Sequence, residues 1–420
     1  MLFFRRVLIN RDYALFMAGS FVSAMGSWFQ AVAIGWIVLE LTDSPFVLGL
    51  ASFAQMAPLF FLGFFGGVLA DRVDRRTLLL WGIGTGSVAL AVLAALALAD
   101  RVTVPAVLLI SLVIGLTNTV VWPAWQPFIK ELVPDDRLRD AIAFNAARFN
   151  LTRVLGPAAA GLLMARTGAP VCLAVAAAGS GAVLLATWLI RRPRGRRAVA
   201  PPWLSALAEG IAYVRADGFT LRLLLITGLF GVVVLPYQAF LPAFARDVLS
   251  IGAEGLGVLL TAVGGGAVLG AVITGSRHFA ARPGLAMACS ALLTGAGLMV
   301  FATATPPNGF PAWVATAALV LVGFGSIAYL TTANATLQLR VPDHLMGRVM
   351  GLWVVMNAGT TPLGSLALGG AAERFGLPEV VLAGGVGGVV LGAFALATRA
   401  FSISAMPEPA VSASPVRAIT

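Results

Sequence analysis

Long, uninterrupted apolar segments alternate with short polar segments along almost the whole chain. The segment Val104–Val121, for example, contains no charged residue. A helix of about 20 apolar residues crosses the hydrocarbon core of a bilayer, so segments of this length predict membrane spans. We predict twelve spans, at 13–39, 45–70, 77–99, 104–129, 139–166, 169–190, 220–244, 254–275, 284–304, 312–337, 347–371 and 377–400.

The composition also favours lipid as the surroundings of these segments. Of the 420 residues, 59% are hydrophobic and 11% are charged, whereas about 25% are charged in ordinary soluble domains. A soluble fold of this size could not cover so much apolar surface. In lipid the backbone must satisfy its own hydrogen bonds, and a barrel would show alternating polarity in segments of about 10 residues. The continuous apolar runs therefore predict an all-α membrane protein.

Landmarks in the first half of the chain recur in the second half at separations near half its length. The segment at Tyr13 resembles that at Phe219, an offset of 206 residues (219 − 13). The tripeptide at 133–135 recurs at 341–343, an offset of 208 residues (341 − 133), and Gly156 and Gly364 share that offset (364 − 156). Parallel repeats that meet at a central site are a known transporter architecture. We predict two six-helix bundles related by a pseudo-twofold axis. The expected units are a bundle at 1–190, a cytoplasmic linker with a surface helix at 191–218, a bundle at 219–400 and a disordered cytoplasmic tail at 401–420.

The net charge of +10 comes from basic residues concentrated in short loops on one side of the predicted spans. The opposite side holds only Arg101, Arg166, Arg246 and Arg374. Cytoplasmic loops of membrane proteins carry such an excess of Arg and Lys, so both termini are predicted to be cytoplasmic. The charge is then a topology signal, and we expect no nucleic acid partner.

Several kinds of chemistry lack the residues that they need. Cys172 and Cys289 are isolated thiols inside predicted spans, which argues against a metal site or a disulfide. The glycines at 82–86 lie within a span and follow no strand, so they do not predict a nucleotide site. One acidic pair, Asp71 and Asp74, is too little for a metal-dependent membrane enzyme. We expect no enzymatic activity, cofactor or metal.

A charged motif follows the second predicted span, with Gly67, Asp71, Arg72 and Arg75 at characteristic spacing. It resembles the loop signature of the major facilitator superfamily, although Asp74 stands where glycine is usual. The resemblance implies that these residues latch the cytoplasmic side when the protein opens outward. The alternative is that the loop carries only the charge expected of a cytoplasmic loop.

The fifth span contains Gly156, Pro157 and Gly161. A proline within a span kinks the helix and frees a backbone carbonyl. The motif resembles a truncated form of the Gly-Pro motif of superfamily antiporters, which implies efflux. The alternative is that the two glycines only allow a neighbouring helix to pack closely.

Further segments, together with Arg153 and the Gly-Pro motif, resemble the bacterial exporter branch that includes enterobactin exporters and macrolide efflux proteins. They are 26–28, 39–45, 122–127, 131–134, 143–145, 341–343 and 347–349. The resemblance covers about residues 10–400 and implies a monomeric secondary transporter in the bacterial inner membrane. It implies export of a small, bulky, partly apolar molecule, drug-like or siderophore-like, by alternating access with proton antiport. Lipid or lysolipid flipping, or solute uptake, are the alternatives.

Polar and aromatic residues inside the spans are candidates for the wall of a substrate cavity. They are Gln30, Gln55, Asn118, Trp122, Trp125, Gln126, Asn150, Arg153, Tyr237, Gln238, Tyr329, Asn334 and Asn357. A charge near the middle of a span is costly unless it is paired or hydrated. Arg153 therefore either faces the cavity or the interface between bundles, or lies in a cytoplasmic extension and pairs, like Arg148, with Glu131 or Asp136.

Proton coupling normally requires an acid or a histidine that titrates within a cavity. The candidates are Asp12, at the cytoplasmic end of the first span, and Glu40, at its outer end. Neither is deep within a span. Proton antiport is therefore implied by the resemblance and not by the acidic residues themselves.

Overall fold

The computed structural model describes residues 10–190, 203–275, 282–304, 311–398 and 400–401. The side chains at 64, 68, 71, 135 and 203–206 fall outside the description. The α-helices are α1 Arg11–Thr42, α2 Pro45–Arg72, α3 Arg75–Leu98, α4 Val104–Leu132, α5 Leu138–Leu189, α6 Trp203–Ala216, α7 Gly218–Val233, α8 Tyr237–Ala243, α9 Gly252–Thr274, α10 Pro283–Thr303, α11 Ala312–Arg340, α12 Asp343–Val354, α13 Thr360–Phe375 and α14 Leu377–Ala397. A 3₁₀ turn at Asp135–Arg137 precedes α5, and π turns at Phe244–Val248 and Val355–Gly359 follow α8 and α12.

The twelve predicted spans all lie on helical segments. The seventh span consists of α7 and α8, which are separated by a turn at 234–236. Ten helical segments of the described chain are long and apolar enough to cross a membrane. The segment Leu138–Leu189 supplies two spans, because Gly168 breaks it with φ of +79° and ψ of 176°. The helices α12 and α13, joined through their π turn, form the eleventh span. The expected all-α fold of twelve spans in two bundles is confirmed.

The ends of the spans define two sides of the molecule. We call the side on which α1 begins the terminal side, and the opposite side, which carries the α1–α2 turn, the distal side. Distal turns use left-handed backbone at Asp43, with φ of +50°, and at Asp100, with φ of +53°. Aspartate tolerates this conformation better than most residues, and glycine adopts it freely at Gly376, where φ is +95°.

The sequence repeat reappears in how the helices pack. Gly115 of α4 lies so close to the backbone of Gln55 in α2 that a Cβ would collide with its carbonyl group. Gly323 of α11 meets the carbonyl of Val263 in α9 in the same way. Both residues of the first contact are displaced by 208 positions from those of the second (323 − 115 and 263 − 55). Equivalent helices of the two bundles therefore cross at equivalent glycines.

The repeat also fixes the terminal ends of the helices. Asn10 caps α1, and its side-chain amide donates to the carbonyl of Leu132 at the end of α4, at 2.6 Å. Asp217 caps α7 and accepts two hydrogen bonds of 2.9 Å from Arg340 at the end of α11. In each bundle, the residue that caps the first span therefore also hydrogen-bonds to the end of the fourth span.

The bundles touch each other closely on the distal side. Gly161 of α5 packs against Gly257 of α9, where either Cβ would come within 3 Å of the facing backbone. Gly49 of α2 packs against the backbone of Ser365 in α13. Side chains larger than hydrogen would push these helices apart, so the small residues permit the contact.

The terminal halves of the same interfaces are open. Gly49 and Gly67 are eighteen residues apart (67 − 49), which is about five helical turns, so both lie on one face of α2. A Cβ at Gly67 would meet nothing within 4 Å, and the same holds for Gly347 and Gly351 on α12. The bundles are thus joined at the distal side and separated towards the terminal side.

The predicted linker contains a helix. α6 packs beside α12, and Glu209 accepts a hydrogen bond from Arg348. The remaining linker residues, 191–202, and the predicted tail from 402 lie outside the described residues.

Candidate functional site

Most of the polar candidates are partly exposed between the spans. The part-buried ones are Gln30, Gln55, Asn118, Trp125, Asn150, Arg153, Asn334 and Asn357, and the more exposed ones are Trp122, Gln126 and Gln238. Several of them have partners within their own segment or bundle. Asn150 donates to the carbonyl of Ala146 at 3.0 Å, Trp125 packs on Phe16 with ring centroids 4.8 Å apart, and Asn334 accepts from Gln338.

The two tyrosine candidates are buried between helices. Tyr329 is fully buried, its hydroxyl lies 3.0 Å from the hydroxyl of Thr227, and its ring stacks on Phe230 at 4.7 Å. Tyr237 is 3% exposed. Both rings pack between helices, because hydrogen-bonded aromatic side chains fill a helix interface as readily as a cavity wall.

Arg148 is fixed between two helices. Its guanidinium donates to the carbonyl of Ser20 in α1 at 2.9 Å and to the side chain of Asn145 at 3.0 Å. The expected alternative pairing with Glu131 or Asp136 is wrong. Glu131 instead accepts from Arg75.

Arg153 lies half-way along the fifth span. It is fifteen residues after Leu138 (153 − 138) and fifteen before Gly168 (168 − 153), or about 22 Å from either end. Its backbone carbonyl packs against Gly264 of α9, and the phenol of Tyr237 is near enough to interact electrostatically with the guanidinium. No hydrogen bond or ion pair joins that guanidinium to another of the described residues. The possibility of a cytoplasmic extension is therefore wrong for Arg153.

Among the described side chains of the predicted latch, no hydrogen bond or ion pair crosses between the two bundles. Arg75, in the first turn of α3, pairs with Glu131 near the end of α4, within the first bundle. Arg72 is exposed, and the side chain of Asp71 falls outside the description. Asp74 accepts a 2.9 Å hydrogen bond from the backbone of Thr77 and caps α3, which explains a residue other than glycine at this position.

The Gly-Pro motif serves helix contacts. Gly156 lies against the indole of Trp28 in α1, and Gly161 against Gly257 in α9. The expected kink at Pro157 is not observed as a break in the helix. Gly168 is the residue of α5 with non-helical backbone angles.

The two proton-coupling candidates lie at the ends of the first span. Asp12 is in the first turn of α1, 3.8 Å from the guanidinium of Arg11. Glu40 is in the last turn and accepts a 2.8 Å hydrogen bond from the indole of Trp36. In the part of the chain that the structure describes, every Asp and Glu of the spanning helices lies within about one turn of a helix end.

A pair of polar contacts, which the sequence analysis missed, joins the bundles on the distal side. Arg246 donates to Asp43 at 2.6 Å, and Ser44 donates to Glu373. We call these two contacts the distal clasp. Arg246 also pairs with Asp247 of its own bundle, at 2.5 Å, so two carboxylates share its guanidinium. The sequence alone gives no sign of the clasp, because its partners lie 203 and 329 residues apart.

A groove of about 730 Å³ lies between α5, α9 and α11. Its lining is mostly apolar and small, with Leu162, Val258 and Val320 among its residues and Glu254 on its lining at the start of α9. Arg153 is not part of the lining. The groove is therefore separate from the half-buried arginine.

Comparisons with known proteins agree with this architecture. Residues 8–415 match the family described as transmembrane secretion effector. The enterobactin exporter EntS of Shigella boydii serotype 4 (strain Sb227) is 28% identical over 390 residues, which cover 91% of this chain and 90% of that protein. EntS of Escherichia coli O9:H4 (strain HS) has the same identity and coverage.

Solved structures share the fold at low sequence identity. The nucleoside transporter NupG superposes with a TM-score of 0.75 at 13% identity, covering 92% of this chain and 99% of that one. A D-xylose-proton symporter superposes with a TM-score of 0.69 at 13% identity, covering 92% and 96%. The family match spans nearly the whole chain and agrees with the twelve-span, two-bundle fold. The chain therefore belongs to the transmembrane secretion effector family of the major facilitator superfamily, and it is a membrane transporter and not an enzyme.

Proposed function

We propose that this transporter exports a small, bulky, partly apolar molecule of the siderophore or drug type from the cytoplasm by alternating access. The similarity to enterobactin exporters over nine-tenths of the chain is the observation that carries this proposal. The two-bundle fold supplies the two rigid bodies that alternating access requires.

The proposal places the terminal side in the cytoplasm and the protein in a bacterial cytoplasmic membrane, as a monomer. The distribution of arginines supports this orientation, because Arg101, Arg166, Arg246 and Arg374 are the exceptions to a basic terminal side. With this orientation, the separated terminal halves of the bundles face the cytoplasm. A molecule to be exported would enter from that side.

The export step then requires the distal clasp to open and the terminal halves to close. The open faces at Gly67, Gly347 and Gly351 support such a movement, since small residues allow helices to approach closely. The remaining latch residues, from Asp71 to Arg75, lie at the same end of α2 and α3. They would meet the second bundle only in the closed arrangement.

Proton antiport is the finer expectation and stays a prediction. Asp12 and Glu40 are its candidates, and both sit at helix ends with a polar neighbour. A proton carried by either residue would have to couple to the cavity through the movement of α1 as a whole.

Lipid or lysolipid flipping is a second candidate, favoured by the groove between α5, α9 and α11. An apolar groove on spanning helices suits an acyl chain, and Glu254 could attract an ammonium headgroup. Protein-dependent flipping of a fluorescent lysophosphatidylethanolamine in liposomes, with no enterobactin transport, would favour this candidate.

Everted membrane vesicles test the export proposal directly. Energised everted vesicles that contain the transporter are expected to accumulate enterobactin above vesicles without it, because the cytoplasmic face is outermost. Right-side-out vesicles prepared from the same cells are the control. Accumulation in the right-side-out vesicles alone would show uptake and contradict the proposal.

A further inference from the structure

Arg153 is a positive charge at mid-depth that the described protein does not neutralise. It lies about 22 Å from either end of its span, and its guanidinium has no hydrogen bond or ion pair with another described residue. Arg148, one turn and a half away on the same helix, is by contrast held by the carbonyl of Ser20.

The helices that pack around Arg153 have their acidic residues in their first or last turns. α1 has Asp12 in its first turn and Glu40 in its last, and α9 has Glu254 in its first turn. The seventh span presents Tyr237, a neutral phenol at physiological pH. Among the described residues, no carboxylate reaches the depth of Arg153.

A lone charge at this depth is costly unless water or a ligand compensates it, and such residues commonly mark substrate pathways. An anionic group would supply the missing charge, and the planar guanidinium suits a carboxylate or another oxyanion. The indole of Trp28, which packs on Gly156 one turn along α5, offers an apolar surface nearby.

We propose that the exported molecule is an organic anion whose charged group pairs with Arg153, and that the membrane potential drives its export. This inference rests on the export function proposed above. It names the substrate class and the driving force of that function.

The direction of the potential suits export of an anion. The cytoplasm is negative, so an anion moves outward with the field, and about 100 mV sustains about a 50-fold concentration ratio for each elementary charge. The loaded site is neutral when the anion pairs with Arg153. The field therefore acts on the empty transporter and draws the uncompensated arginine back towards the cytoplasm-open state. No acidic residue within the spans is needed for this cycle.

Two dyes of the same shape and opposite charge provide the test. Fluorescein, an anion at neutral pH, and rhodamine 123, a cation, share a xanthene ring system. Each is loaded into proteoliposomes at equal pH on both sides, and a potassium gradient with valinomycin sets the potential. Rates in protein-free liposomes are subtracted, and enterobactin is measured in parallel under a pH gradient.

Protein-dependent efflux of fluorescein is expected to rise when the lumen is negative and to fall when it is positive, with no protein-dependent efflux of rhodamine 123. Arg153→Gln is expected to lower fluorescein efflux by about tenfold or more. Arg153→Lys keeps the charge and is expected to retain the preference for the anion. Monodisperse elution of both variants shows that they fold.

Three results would overturn the inference. The first is a rate of fluorescein efflux that does not change with the membrane potential. The second is a folded Arg153→Gln variant whose fluorescein efflux equals that of the wild type. If enterobactin moves in either case, the export function stands and only the inference fails. The third is that no probe moves under any gradient, which contradicts the export function as well.

Discussion

Arg246, in the π turn after α8, donates a 2.6 Å hydrogen bond to the carboxylate of Asp43, in the turn after α1. The pair joins the second bundle to the first across the distal side. The side chain of Asp43 is 82% exposed, and exposed ion pairs contribute at most about 1 kcal/mol. A contact of this strength can form and break in each transport cycle.

Replacement of Asp43 by asparagine should favour opening of the distal side. Asparagine tolerates the left-handed backbone at this position, so Asp43→Asn removes the charge with little strain. Loss of about 1 kcal/mol would raise the distal-open population by about fivefold. Double electron–electron resonance measures that population, as the distribution of distances between spin labels at positions 101 and 313 in a Cys289→Ser background.

Asp100→Asn is the matched control for this experiment. Asp100 also has a left-handed backbone on the distal side, with φ of +53°. It belongs to a turn within the first bundle, so its replacement should leave the label distances unchanged. Equal distance distributions for Asp43→Asn and the wild type would show that the clasp does not hold the distal side closed.

A bulky residue at Gly67 should block transport without harming the fold. A side chain there meets open space in this structure but would prevent the terminal halves from closing. Gly67→Leu should therefore melt at the wild-type temperature. Its transport rate should fall by about tenfold or more, since a tenfold reduction requires the closed arrangement to be destabilised by only about 1.4 kcal/mol. Thermal melting in detergent and vesicle transport are the two measurements.

Gly49→Leu provides the contrast on the same face of α2. A Cβ at Gly49 would collide with the backbone of Ser365, so this variant should lose stability as well as transport. Normal transport by a folded Gly67→Leu variant would be incompatible with closure at this face.

The packing of α5 on α9 predicts a similar contrast within one helix. A Cβ at Gly257 would lie 2.9 Å from the Cα of Gly161, whereas a Cβ at Gly265 would meet nothing within 4 Å. Gly257→Val should lower the free energy of unfolding by about 1–3 kcal/mol, which is typical of overpacking, and so lower the melting temperature. Gly265→Val should leave the melting temperature unchanged. Equal melting temperatures for the two variants would argue against the close crossing.

The Asp217–Arg340 pair predicts a pH dependence of stability. Hydrogen bonds from Arg340, and secondarily from Thr220, lower the pKa of the Asp217 carboxyl to about 2. Because the folded-state pKa is below the unfolded value of about 3.9, the stabilisation is present above that value and is lost as the pH falls towards about 2. Because solvent screens this partly exposed pair, we expect it to contribute about 1 kcal/mol to the free energy of unfolding at neutral pH.

Asp217→Asn should therefore melt at a lower temperature than the wild type at neutral pH, and the difference should shrink below about pH 4. Asp136→Asn is the control, since Asp136 is 73% exposed and pairs with Arg137 at 3.7 Å. A difference between Asp217→Asn and the wild type that persists at low pH would show that the carboxylate charge is not its cause.

The spans and the repeat could be predicted from the sequence because both are local or periodic properties. Each span is a continuous apolar run, and the offset of 208 residues returns in the packing of Gly115 and Gly323 (323 − 115). The Gly156–Trp28 contact likewise has its counterpart between Gly364 and Pro236 (236 − 28 = 208).

The details of the site could not be predicted, because they depend on which helix faces meet. Tyr329 was expected in a cavity wall, but its hydroxyl bonds to Thr227 across a helix interface. A buried aromatic residue and a cavity-lining one have the same sequence signature. The Asp43–Arg246 contact of the distal clasp links residues 203 positions apart, so no local pattern in the sequence indicates it.

Paired distances on the two sides of the membrane are the sharpest test of alternating access by the two bundles. One pair of spin labels at positions 101 and 313 reports on the distal side, and another at positions 136 and 343 reports on the terminal side. On addition of enterobactin, we expect a longer distal distance and a shorter terminal distance in the same fraction of molecules. Two distances that stay constant, or that lengthen together, would contradict alternating access by the two bundles.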